Sequence, residues 1–195
     1  MAETTASRQP TFYYDLSSPE AYLAAERSAD VLGVVPEWEP VLADDLPAGG
    51  QAFRCAEEQE IYMAEIEARA AQQGLQPLRW PAGWPGDPRP AMLVATYARQ
   101  VGRVVAFSLA AFRQAFAAGR DLATPDGVIV AAAACELHPK AVLQAIEMRS
   151  TRERLDAATR AAVDAGVTRV PAVRIDGEVF EGPGALEEAT QAGAR

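Results

Sequence analysis

FYYDLSSPEAYLAAE, residues 12–26, is the stretch on which the reading of the whole chain turns. With Thr11 it opens as TFYYDL, aromatic-rich and strand-like. Residues 18–33 then read as a helix, with Tyr22, Leu23, Val31 and Leu32 on an apolar face and Gly33 as the stop. Ser17, Ser18 and Pro19 sit at the joint. Capping explains them in either of two ways: Ser17 and Glu20 form a Ser-x-x-Glu capping box, or Ser18 caps a helix whose first residue is Pro19. The same joint also concentrates unpaired N–H groups and partial positive charge at the end of a strand, a common place for chemistry in α/β folds.

Beyond it, VVPEWEPVL (residues 34–42) reads as a second strand with prolines suited to an edge or a bend, and residues 43–50 as a loop. Residues 51–73 form a long helical pattern ended by Gly74. A proline-punctuated loop carrying Trp80 and Trp84 follows. Alanine-rich helical segments then occupy 90–101, 103–118, 125–136, 139–148 and 151–165. The pattern changes again at VTRVPAVRIDGEVFEGPGALEEA: a strand from Ala172 to Ile175, an Asp176-Gly177 turn, a strand from Glu178 to Glu181, and a helix after Pro183. The expected fold is α/β: one mixed sheet built from a β-α-β half and a β-β-α half, flanked by helices. Residues 10–48 and 166–195 would form the core of a single domain, and residues 50–165 a large helical insert.

Composition narrows the function. The chain has 195 residues, is 49% hydrophobic and carries a net charge of −9. That balance argues against nucleic acid or an anionic membrane as partner, since both call for basic patches. Two distant cysteines, Cys55 and Cys135, and one histidine supply no zinc spacing and no Cys-x-x-Cys pair, so no metal is expected and both thiols read as inert. His138, before a proline, reads as a surface turn, and RCAEEQE (54–60) as a solvated helix face. The start, MAETTASRQP, is polar and reads as a loose tail without a signal core. No apolar run reaches spanning length. The expectation is a soluble, cytoplasmic protein.

The element order, with Val170-Pro171 opening the third strand, resembles the DsbA-like branch of the thioredoxin-fold superfamily. Within it the chain is similar to the 2-hydroxychromene-2-carboxylate isomerases and kappa-class glutathione transferases. The matching stretches are FYYDLSSPEAYLAAE and AAVDAGVTRVPAVRIDGEVFEGPGALEEA, with LAAFRQAFAAGRDLATPDGV between them. The resemblance implies a catalytic role for Ser18, as the hydroxyl facing a thiol cofactor, glutathione or another low-molecular-weight thiol. Ala21 stands where redox relatives carry their second cysteine, so dithiol exchange is not expected. It also implies a cis Val170-Pro171 bond, with Val170 offering its main chain to the cofactor, and cofactor contacts from Ser17, Pro171, Gly182 and Gly184.

A helix start pushes a thiol toward thiolate, and a serine hydroxyl adds a charge-assisted hydrogen bond. Glu20, where the family has tyrosine, would oppose that charge. Trp80, Trp84, Asp87 and Arg89 are the candidate substrate pocket for a small aromatic electrophile, the two tryptophans being open also to plain loop packing. Three departures bear on glutathione: Gly184 replaces an acid, Glu57, Glu58 and Glu60 occupy the region of a lysine, and Asp87 and Arg89 stand near a missing Asn-Thr pair. The expected function is a thiol-dependent isomerase or transferase. The alternatives are a non-catalytic binding protein of the same fold or a disulfide oxidoreductase. Relatives suggest a homodimer.

Overall fold

A computed structural model of the chain describes residues 9–193. Four strands, β1 (Thr11–Tyr14), β2 (Glu37–Pro40), β3 (Ala172–Ile175) and β4 (Glu178–Glu181), form one sheet in the order β2-β1-β3-β4. β1 pairs with β2 in parallel and with β3 antiparallel, and β3 and β4 form an antiparallel hairpin. The sheet is therefore mixed. The parallel pair is joined by α1 (Pro19–Leu32). The hairpin turns at Asp176 (φ 54°) and Gly177 (φ 87°), the two left-handed residues that match the twist of paired strands.

Side chains alternate across β1. Phe12 and Tyr14 enter the larger core with Trp38, their rings 5.0 and 5.2 Å from it. Tyr13 faces the opposite layer, with Val41, Val167 and Ala172. The Tyr14 hydroxyl, buried on that first face, shares a 2.5 Å hydrogen bond with Ser108.

The helices between β2 and β3 are α2 (Ala56–Gln72), α3 (Arg89–Gln100), α4 (Val104–Phe112), α5 (Pro125–Ala133), α6 (Pro139–Glu147) and α7 (Arg149–Asp164), and α8 (Ala185–Gly193) closes the fold. α4 runs on into a π-helical turn, Arg113–Ala117. No helix among the described residues is long and apolar enough to cross a membrane.

Boundaries differ from the sequence expectation for local reasons. α2 starts at Ala56 rather than residue 51, because the Glu58 carboxylate accepts from the Arg54 N–H at 2.8 Å and satisfies the chain ahead of the helix. The run expected as helix to residue 136 stops at Ala133, with Glu136 left-handed at φ 61°. β1 stops at Tyr14, where Asp15 turns inward. Most of the tail reading falls outside the described residues. Its end does not hang free: Pro10 is buried and accepts from the Glu37 N–H at 2.8 Å, and Gln9 donates to the Val35 carbonyl at 3.0 Å.

Candidate functional site

Of the two capping schemes open at the β1–α1 joint, the structure forms one. Ser18 is the N-cap, its Oγ accepting from the Ala21 N–H at 3.1 Å. The Ser17–Glu20 box does not form, because each residue has a better partner elsewhere. Ser17 donates both its backbone N–H and its hydroxyl to Asp15 Oδ1 at 2.8 Å. Glu20 accepts from Arg69 of α2 at 2.9 Å. As an N-cap the Ser18 oxygen is an acceptor, which leaves its O–H proton available to donate outward.

Asp15 is the group behind the joint. It is fully buried, and its second oxygen accepts from the Ala43 N–H at 2.9 Å, tying the end of β1 to the segment after β2. Burial pushes its pKa above the ordinary carboxylate value, against the pull of these hydrogen bonds.

In front of the joint lies a groove of about 290 Å³ lined by Ser17, Ser18, Glu20, Tyr62, Arg169 and Val170, with the 48–51 loop as its far wall. Val170 is buried, and the bond from it to Pro171 is cis. No turn or loop hydrogen bond engages the Val170 N–H or C=O among the described residues. The Pro171 carbonyl is taken, accepting from the Gly182 N–H at 2.8 Å. Gly182 (φ 80°) is thereby tied to the proline and is not itself a lining residue of the groove. Gly184 faces a different neighbour: a Cβ there would stand 3.0 Å from the Glu188 carboxylate, which has folded back over the start of α8. Burial, and next to it the Glu20 charge, pushes the Tyr62 phenol well above its usual pKa, so it stays a neutral donor.

On the other side of Ser17 is a smaller apolar pocket, with Leu16, Pro81, Trp84, Ala91, Phe116 and Leu122 in its walls and Asp87, Arg120 and Asp121 as its charged members. Trp84 separates the two spaces. Its indole N–H donates to the Ser17 carbonyl at 3.0 Å, and its ring lies parallel to that of Tyr62 at 6.0 Å. Trp80 backs Trp84 from 4.7 Å and donates to Glu67 at 2.7 Å.

Arg89 is not brought together with the other candidates. Asp87 caps the turn by accepting from the Arg89 N–H at 2.9 Å, and α3 begins there. The Arg89 side chain leaves on the far side, pairing with Asp45 at 3.6 Å in a separate groove along α7.

Four groups of the site were not singled out from the sequence: Asp15, Tyr62, Arg69 and Arg169. Of these only Asp15 was findable, as a carboxylate closing an apolar strand two residues before a serine, the spacing of an Asx-type hydrogen bond. Arg69 changes the local electrostatics. Glu20 alone would oppose an anion at Ser18, but its pairing with Arg69 offsets that charge and leaves the helix start to dominate. A Ser18→Cys variant gives this a direct readout. Its thiol is expected to titrate below the ordinary value of about 8.5, and adding Arg69→Ala should raise it again, measured as alkylation rate against pH. An unchanged profile on adding Arg69→Ala would mean that Glu20 is not felt at this position.

The model of the DSBA-like thioredoxin domain family matches residues 11–193. Among solved structures, a 2-hydroxychromene-2-carboxylate isomerase superposes with a TM-score of 0.81 at 21% identity, over 95% of this chain and 94% of that one. A probable DsbA oxidoreductase from Streptomyces coelicolor gives 0.76 at 20% identity, over 94% and 87%. The cytosolic disulfide reductase DsbM from Pseudomonas aeruginosa gives 0.65 at 13% identity, over 96% and 98%. At these identities the likeness is one of fold. No curated protein matches the chain in sequence.

Proposed function

The chain belongs to the family of DSBA-like thioredoxin domains, and from that membership we propose that it is an isomerase or transferase that works with a low-molecular-weight thiol, glutathione or a related one, on a small aromatic electrophile. The observation that carries the reading is the Ser18 hydroxyl at the start of α1, with its proton unspent, facing a polar groove that the cis Val170–Pro171 peptide borders.

The residues present fit such a thiol. Ser18 and the first turn of α1 hold negative charge on sulfur, through a charge-assisted hydrogen bond and the positive end of the helix dipole. Val170 offers main-chain N–H and C=O to an extended ligand. Once bound, the thiol supplies a nucleophile that can add to an unsaturated carbon and leave again, or stay attached where the substrate loses another group. Ser17 belongs to both spaces, so a ligand in the groove and an aromatic ring in the apolar pocket meet at the α1 start. Trp84 and Phe116 exclude water from the ring and fix its plane, while Asp87 and Arg120 are placed to contact polar substituents. The oxidoreductase alternative lacks its chemistry, since Ser18 and Ala21 stand where two cysteines would exchange electrons.

Calorimetric titration with glutathione tests the reading. Ser18→Gly is the informative variant, because glycine at an N-cap costs only a few tenths of a kcal/mol where alanine costs about 1. Loss of a charge-assisted hydrogen bond of about 1.5–3 kcal/mol should weaken glutathione roughly 10- to 100-fold in this variant with thermal stability nearly unchanged. Chromene-carboxylate and electrophile assays would follow. No binding to the wild type at millimolar glutathione would remove glutathione as the cofactor. Equal binding by Ser18→Gly would remove Ser18 from the site.

A further inference from the structure

We propose that Arg169 is the anchor of the groove for a carboxylate, so that the thiol selected there is one that carries a carboxylate group; this rests on the thiol reading above. Arg169 lines the groove together with Ser18 and Val170. Its guanidinium carbon lies 4.0 Å from the point a Cβ on Gly182 would occupy, so the charged end rests against the backbone of the turn into α8. A side chain at position 182 would crowd it.

The charges around the groove favour an anion. Its ionisable lining groups other than the Tyr62 phenol are Glu20 and Arg169. Glu20 is held by Arg69 at 2.9 Å, and its charge is offset. Glu181 comes close to Arg169 but is otherwise engaged: it accepts from the Thr168 N–H, from the Thr168 hydroxyl at 2.6 Å and from the Arg169 backbone N–H at 3.2 Å. The Arg169 guanidinium itself pairs with no carboxylate among the described residues. Arg27, Arg99 and Arg113, by contrast, each hold one. A chain with a net charge of −9 thus leaves an arginine fork without a carboxylate partner among the described residues, in the same groove as the positive end of α1. A guanidinium recognises a carboxylate through two parallel hydrogen bonds, which an uncharged thiol cannot make. At about 290 Å³ the groove holds a ligand of modest size, with its sulfur at Ser18 and its carboxylate at Arg169.

Three probes separate the anchor from the thiol: glutathione, its diethyl ester with both carboxylates masked, and S-methylglutathione with the sulfur blocked. Each is titrated calorimetrically into the wild type, Arg169→Ala, Arg169→Lys and Ser18→Gly. The wild type is expected to bind glutathione five- to tenfold or more tightly over the diester, a preference reduced by salt because the arginine is exposed. Arg169→Ala should erase the preference, and Arg169→Lys should keep part of it. A preference in Arg169→Ala equal to the wild type's overturns the anchor while leaving the thiol reading in place, as does no preference in the wild type. If Arg169→Ala erases the preference but S-methylglutathione binds as tightly as glutathione, the anchor is supported and the thiol reading fails. Absence of binding by all three at millimolar concentration overturns both.

Discussion

Asp15→Ala is expected to lower the unfolding free energy by about 2–6 kcal/mol, read from urea denaturation. Two backbone N–H groups, those of Ser17 and Ala43, lose their acceptor, and a buried orphan donor costs about 1–3 kcal/mol. Asp15 is fully buried, so water does not replace the lost partner without opening the core. Asp15→Asn isolates the geometry from the charge. Its oxygen can still accept from Ser17, but its amide then faces the Ala43 N–H, donor against donor. A loss of about 1–3 kcal/mol is expected there.

The two proteins should also differ with pH. Burial raises the folded pKa of Asp15 above the ordinary value of 3.8. Between those two values the folded state binds more protons than the unfolded state, so the contribution of Asp15 to stability falls as pH rises through the interval and is constant outside it. Asp15→Asn should lose that part of the slope. Parallel stability–pH curves for the wild type and Asp15→Asn would show that Asp15 does not titrate with the fold.

Trp84→Ala should produce the second large effect, a loss of about 3–5 kcal/mol on deleting a buried aromatic side chain. Trp84 is 7% exposed and meets the rings of Phe53, Tyr62 and Trp80, so the cavity left behind opens between α2 and the 79–88 loop. Its carbonyl also accepts from Gln59 at 2.6 Å, fastening the loop to α2 from the other end of the residue. Trp84→Phe separates two roles. It keeps most of the ring packing but drops the indole N–H that holds the Ser17 carbonyl, at a cost of about 0.5–1.5 kcal/mol. Ligand binding at Ser18 should weaken in Trp84→Phe more than stability does. The opposite order, full stability loss with unchanged binding, would make Trp84 a packing residue only.

What was legible in the residues is local or periodic. The strand-to-helix joint was readable because an N-cap bond reaches only from Ser18 to Ala21. The Asp176-Gly177 hairpin was readable because a two-residue turn is chosen by the residues within it. With the order of elements these led to the mixed sheet and to the thioredoxin-like resemblance. The choice between Ser17 and Ser18 as cap was not open to the residues alone, since it was decided by competitors outside the turn: Asp15 for Ser17, and Arg69, 49 positions away, for Glu20.

The rest of the site is made of similarly distant pairings. Asp15 reaches Ala43 across 28 positions, and Trp84 reaches Ser17 across 67. Arg89 and Asp87, two residues apart, were separated by the start of a helix that turns them to different sides. Arg69 and Arg169 look like any exposed arginine in a sequence. A hydrogen bond or ion pair between distant residues leaves no spacing to read, because its partner is selected only when the sheet and the packed helices bring the two side chains together. The sequence determined where a helix would start after a strand, and the tertiary structure decided that this start faces a groove and which charges stand around it.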